Sequence, residues 1–186
     1  MILKTTEKTQ NEPVEKVPEQ KDCRISDTIK KLLIEQISHE LYNHNLYRSF
    51  ANFYGIRGLS KLEKYYVKRA EEEKVHHDWI INYLNEVDAP IFYPAVPEIT
   101  EKPENLFQPF DMTVTKEIET TKLINNIADL AIEEKDWQTF HWLDKLLISE
   151  QIEEESLSRT VRDMANTNAS WLIKQDSILD FYENRI

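Results

Sequence analysis

Glu73-Lys74-Val75-His76 sets a carboxylate and an imidazole three positions apart, and Gln151-Ile152-Glu153-Glu154 repeats that spacing with an amide and a carboxylate. An α-helix turns by about 100° per residue, so positions i and i+3 lie side by side on one face. Glu73 and His76 can therefore offer an oxygen and a nitrogen to one metal ion from a single helix, while a second helix brings Gln151 and Glu154 from the opposite side. One Glu-x-x-His is a weak signal in an acidic chain with five histidines. Two such clusters in a helical sequence are far more specific. Carboxylates with one imidazole suit Fe(II) better than a structural zinc site, which favours thiolates and more histidines. A hard, anionic ligand set of this kind stabilises Fe(III) and so favours oxidation of iron held there.

Other residues fall into phase with this pair. Glu40 and Tyr47 are seven apart and share one helix face to within about 20°. That face is largely apolar through Leu33, Ile37 and Leu41. A carboxylate on it is costly unless it pairs or binds a cation; taken alone, Glu40 reads rather as solvated at the edge of the stripe. Tyr47 can hydrogen-bond a ligand or donate an electron, or simply pack with its hydroxyl satisfied. In Glu71-Glu72-Glu73 only one or two acids can face inward, because adjacent side chains point about 100° apart; Glu71 reads as exposed. His77 points away from His76 and reads as surface or packing, as do His39, His44 and His141. Glu117 is only weakly favoured by phase over Glu119. Glu150, Glu153 and Glu154 form an i, i+3, i+4 cluster, whose like charges destabilise an isolated helix by a few tenths of a kcal/mol per pair. Such a cluster is either neutralised by cations or is plain surface acidity.

Four long helices must position these groups. Ser26 or Asp27 can cap the first, which runs to about Tyr54 and stops at Gly55. Ser60 can cap the second, which continues to about Glu86. Pro90, Pro94, Pro97 and Pro103 forbid regular helix across roughly 89–106, and so long a connection implies a crossover joining two helices that run the same way. A third helix covers about 108–134. Lys135-Asp136 makes a tight junction to a fourth that reaches about Ala165. Beyond Asn166-Thr167-Asn168, a short amphipathic fifth helix opens at Ser170-Trp171-Leu172 and carries Ile173, Ile178, Leu179 and Phe181. Residues 1–25 read as a polar extension with Pro13 and Pro18, mobile by composition, ahead of one domain over 26–186.

Bulk properties agree with an all-α reading. The 186 residues are a single-domain length, only Gly55 and Gly58 are available for turns or phosphate loops, and 31% of residues are charged. The net charge of −11 argues against nucleic acid and suits a protein that attracts cations. One cysteine, Cys23, permits no intramolecular disulfide and fits a reducing interior. No run approaches the roughly 18 apolar residues of a membrane span, and the start lacks the apolar centre of a secretory signal. The expectation is a cytoplasmic protein with no membrane partner.

The segments Glu35–Tyr42 to Tyr47, Arg69–His76, Ile124–Asp136 and Ser149–Glu155 together resemble bacterial non-haem ferritins, in order and with compatible spacing, over about residues 27–185. The resemblance implies a ferritin-like four-helix bundle with a long crossover between the second and third helices and a short C-terminal fifth helix. It implies two irons per subunit: Glu40, Glu73 and His76 at the first position with Glu73 bridging, and Glu117, Gln151 and Glu154 at the second. Glu72, Glu150, Glu153 and Glu154 match an additional third iron site, and Tyr47 matches a redox-active tyrosine. It further implies a homo-oligomeric shell of twenty-four subunits that oxidises Fe(II) with O2 or peroxide and stores ferric mineral. The chain departs from the pattern in its longer N-terminal extension, in one extra residue between Asp136 and Glu150, and in Leu146-Leu147-Ile148 where a tryptophan is usual.

The rival reading is a di-iron redox enzyme of the rubrerythrin or oxygenase kind. Those carry a second Glu-x-x-His, where this chain has Gln151-x-x-Glu154, and rubrerythrins need a cysteine-rich module that one cysteine excludes. A haem-binding bacterioferritin would want that second histidine and a methionine on the second helix, and the three methionines lie elsewhere. A shell-forming protein with little oxidation activity is the third reading, against which the ligand set argues.

Overall fold

A computed structural model describes residues 19–167 and 169–185. The expected mobility of the extension lies outside these residues up to position 18. Of the remainder, Ile25 is buried, the Arg24 backbone N–H donates to the Val87 carbonyl at 3.0 Å, and Lys21 and Arg24 flank Asp88. The packed body therefore begins slightly before the boundary read from composition.

Helix α1 spans Asp27–Gly55, α2 Ser60–Glu86 and α3 Gln108–Glu133; α4 (Trp137–Leu143), a π-helical turn (Asp144–Ile148) and α5 (Ser149–Ala165) follow one another, and α6 covers Trp171–Glu183. Ser26 caps α1 by accepting from the Ile29 N–H at 3.1 Å, so the sequence-based cap is present. One local expectation needs correction. Ser60 is the first residue of α2 and makes no cap; Leu59 holds the cap position without a side-chain bond. Helix α1 ends at Gly55 as expected, where a Cβ would approach the Glu63 carboxyl carbon at 2.8 Å; the left-handed residue of the turn that follows is Gly58, at φ +73°.

The crossover between α2 and α3 runs beside α1 in α1's own direction. Ser38 donates to the Ala95 carbonyl, Tyr42 to Glu101 and Tyr54 to the Leu106 carbonyl. It thus carries the chain back along the bundle, so that α3 runs parallel to α2, with Tyr66 beside Thr113 and Arg69 beside Glu117.

Two apolar clusters fill the bundle. One gathers Leu46, Phe50, Tyr54, Leu62, Tyr66, Phe110, Leu157 and Val161, joined by α6 through Ile178, Leu179 and Tyr182. The other gathers Ile29, Leu33, Ile37, Ile80, Leu84, Ile124, Ile127, Leu143 and Leu147. Along α1, α2, α3 and the α4–α5 rod alike, five buried acidic or imidazole side chains and one amide fall between the segments that enter the two clusters: Glu40, Glu73 and His76, Glu117, and Gln151 with Glu154. The helices are thus apolar at both ends and charged in the middle.

The fourth long helix is not the regular rod expected. Its π-helical turn over Asp144–Ile148 accommodates one more residue than an α-helix of the same rise. Leu143 and Leu147 before or within it, and Gln151 and Glu154 after it, all still face inward. Helix α6 lies along α2, with Lys61 near Asp176 and both Lys64 and Lys68 on Glu183. Ile173, read as part of its apolar side, is 60% exposed, and Lys174 and Gln175 are buried instead. Among the described residues no helix is long and apolar enough to cross a membrane.

Asp136 opens α4 by accepting from the Thr139 N–H at 3.0 Å and from its hydroxyl. Asp136→Ala is expected to destabilise the fold by about 1 kcal/mol, the usual loss for a helix cap, read as a lowered midpoint in chemical denaturation.

Candidate metal centre

The charged middle layer is a single cluster. Glu40 (α1), Glu73 and His76 (α2) bring one ligand atom each within 4.8 Å of one another; Glu73, Glu117 (α3) and Glu154 (α5) do the same. Glu73 belongs to both trios, the placement a bridging carboxylate requires. Its neighbour His76 lies 3.8 Å from Glu73 and, through its other ring nitrogen, 3.8 Å from Glu154. All of these side chains are buried, so the solvated alternative for Glu40 is excluded.

The hydrogen bonds around the cluster leave a conspicuous gap. Glu40 accepts from Gln36 at 2.7 Å through one oxygen only. Glu117 accepts from Tyr47 at 2.6 Å and from Gln151 at 3.0 Å. Oε2 of Glu40, Oε1 of Glu73 and Oε2 of Glu154 are buried with no hydrogen-bond partner at all. Each such orphan costs about 1–3 kcal/mol or more for a charged group. A divalent cation is the simplest group that satisfies all three together.

Electrostatics agree. Burial, then the Glu73 charge, hold the Glu40 carboxyl well above the usual carboxylate range. Burial pushes Glu154 up to about 8 and also raises Glu117. Burial acts the same way on Glu73, but His76, Glu40 and Arg69 outweigh it and hold Glu73 low. For His76, burial disfavours the charged ring, yet Glu154, Glu73 and Glu40 override it and push the imidazole up to about 10. Tyr47 stays a neutral phenol, held well above its usual value by burial and by Glu117 and Glu73.

The residues read as a third site are less uniformly placed. Glu72, Glu150, Glu153 and Glu154 line one small cavity of about 70 Å³ with Arg69, Tyr182 and Arg185. Glu150 forms a trio with His76 and Glu154, and Glu153 is exposed. Glu72 is committed to Arg69 at 2.8 Å and to the Tyr182 hydroxyl. Glu71 is exposed, as read, and His77 turns to Asp78. His44 meets the Ala70 carbonyl. His39 does more than pack: its Nε2 is 2.7 Å from Thr120 Oγ1, and buried Asn43 reaches both.

Sequence reasoning missed Arg69. It is fully buried and bonds to Glu117 at 2.6 Å, to Glu154 at 3.1 Å and to Glu72. Helical phase could have found it, since Arg69, Glu73 and His76 are spaced i, i+4, i+7 on one face. Gln36, four residues before Glu40, was legible by the same rule.

A metal ion needs a neutral imidazole and ionised carboxylates, whereas the neighbouring carboxylates favour the protonated His76 ring and burial favours the protonated Glu154 carboxyl in the metal-free protein. Metal binding near pH 7 is therefore expected to release about one proton or more per ion, and affinity is expected to rise with pH. Calorimetry in buffers of different ionisation enthalpy reads this directly; a buffer-independent heat would refute it.

Known proteins are similar to this chain in sequence and in fold. A family model for the ferritin-like domain matches residues 30–166. A bacterial non-heme ferritin of Campylobacter jejuni is 34% identical over 139 residues, 75% of this chain and 83% of the relative. One of Staphylococcus aureus is 26% identical over 136 residues, 73% of this chain and 81% of the relative. Among solved structures, an open-pore ferritin of the archaeon Archaeoglobus fulgidus superposes with a TM-score of 0.77 at 25% identity, covering 83% of this chain and 97% of that one. The Chlorobium tepidum ferritin gives 0.74 at 26%, covering 86% and 96%. The chain belongs to the ferritin family.

Proposed function

We propose that this chain is the subunit of an iron-storage ferritin whose buried cluster is a ferroxidase centre. Iron is its substrate and cargo. The observation that carries the reading is the set of three buried carboxylate oxygens, on Glu40, Glu73 and Glu154, that no donor reaches, grouped around His76. A fold stabilised by burial keeps such groups only where something positive comes to them.

Glu40, Glu73 and His76 hold the first Fe(II); Glu73 bridges to a second held by Glu117, Gln151 and Glu154. Each Fe(II) gives up one electron, and the two electrons with two protons reduce O2 to hydrogen peroxide; peroxide itself is the alternative oxidant. The carboxylates stabilise the Fe(III) products. The Tyr47 hydroxyl donates a hydrogen bond to Glu117 at 2.6 Å and so orients that carboxylate. Ferric ions then leave past Glu150, Glu153 and Glu72, on the side of the bundle where α2, α5 and α6 meet. A homo-oligomeric shell, twenty-four subunits by family resemblance, would retain the mineral. The net charge of −11 per chain would draw Fe(II) toward such an assembly, and the cytoplasm supplies it.

Glu73→Ala and His76→Ala are each expected to slow the initial rate of aerobic Fe(II) oxidation by at least about 100-fold, beyond the usual cost of losing a mere supporting residue. Both should still assemble, as judged by light scattering. Wild-type initial rates in both variants would displace the centre from these residues.

A further inference from the structure

The two metal positions are not equivalent, and Arg69 is the reason. At the first position the lone pairs are open: Glu40 Oε2 and Glu73 Oε1 have no partner. At the second they are taken. Glu117 Oε1 accepts from Arg69 Nη2 at 2.6 Å and from the Tyr47 hydroxyl at 2.6 Å, and its Oε2 accepts from Gln151 at 3.0 Å. Glu154 Oε1 accepts from Arg69 Nη1 at 3.1 Å, which leaves one free oxygen there. A guanidinium thus spans two of the three ligands that a second ion would need.

The same guanidinium has somewhere else to go. Nη1 also donates to Glu72 Oε2 at 2.8 Å, and Glu72 is half-buried, held from its other oxygen by Tyr182 on α6. Glu72 is at the edge of the cluster, on the side toward the small cavity that Glu150 and Glu153 also line. Arg69 can therefore release Glu117 and Glu154 without losing every carboxylate partner.

We propose that Arg69 is a built-in cation occupying the second metal position, so that Fe(II) loads in order. The first ion enters at Glu40, Glu73 and His76; the second binds only by displacing the guanidinium from Glu117 and Glu154 onto Glu72. Charge requires this order. Four buried carboxylates face one guanidinium and one imidazole. The first dication meets carboxylate oxygens that no donor holds and an imidazole that can lose its proton, whereas the second must approach a permanent positive charge that cannot lose its proton. The arrangement keeps the second pair of carboxylates neutralised while it is empty, and it makes that position the weaker one. This rests on the metal-centre reading above and adds an affinity difference that the reading alone does not contain.

Anaerobic titration of the assembled, iron-free protein with Co(II), a redox-stable ion with visible absorption in such sites, tests the proposal. The wild-type protein should show two steps per subunit separated by at least about tenfold in affinity, equivalent to roughly 1.4 kcal/mol. Arg69→Gln removes the charge and should tighten the second step by at least about tenfold, while leaving the first nearly unchanged. Arg69→Lys keeps the charge and should preserve the gap. Two equal steps in the wild-type protein overturn the proposal whether or not Arg69→Gln folds, as does a gap that Arg69→Gln leaves intact. A protein that binds no Co(II), with His76→Ala indistinguishable from wild type, overturns the metal-centre reading as well, so the two failures look different.

Discussion

Four glutamates from four helices share one buried layer, and that layer governs the rest of the molecule. Moving a carboxylate from water into such a place costs several kcal/mol per ion even after relaxation. One guanidinium and one imidazole are the only cationic groups bonded into or touching the layer among the described residues. Burial, then the excess of neighbouring carboxylates, holds the Glu40, Glu117 and Glu154 carboxyls above their usual range, and three oxygens of the layer lack donors. A bundle built for stability alone would place leucines there. The layer makes physical sense when a dication enters it.

Everything around the layer keeps it in register. Apolar clusters above and below clamp each helix on both sides of its glutamate, so neither end can slide without exposing core residues. The crossover lets α2 and α3 run parallel and so brings Arg69 beside Glu117. The π-helical turn lies just upstream of Gln151 and Glu154, and both remain aimed inward. Helix α6 reaches back along α2 to hold Glu72 through Tyr182, which ties the C-terminal element to the guanidinium's alternative partner.

Much of this was legible in the sequence because a helix converts spacing into direction. Glu73 with His76, and Gln151 with Glu154, declare a shared face by their three-residue separation, and the prolines across 89–106 declare the crossover. What was not legible depends on neighbours in space. The spacing of Arg69 to Glu73 and His76 shows the face it occupies, but not its bonds to Glu117 and Glu154, which lie on other helices. The π-helical turn has no local marker in Asp144-Lys145-Leu146-Leu147-Ile148. Ser60 has the right chemistry for a cap, but the chain enters α2 from Leu59 in a conformation that leaves Ser60 inside the first turn. Ile173 fits an apolar pattern, yet α6 turns Lys174 inward to reach the Ala165 carbonyl and leaves Ile173 outside.

The most direct test is to soak crystals of the iron-free protein in Fe(II) without oxygen and record anomalous diffraction at the iron edge. The account predicts a strong peak between Glu40, Glu73 and His76, filled at lower iron concentration than any peak beside Glu117 and Glu154. Iron confined to surface carboxylates, with the buried layer empty, would contradict it.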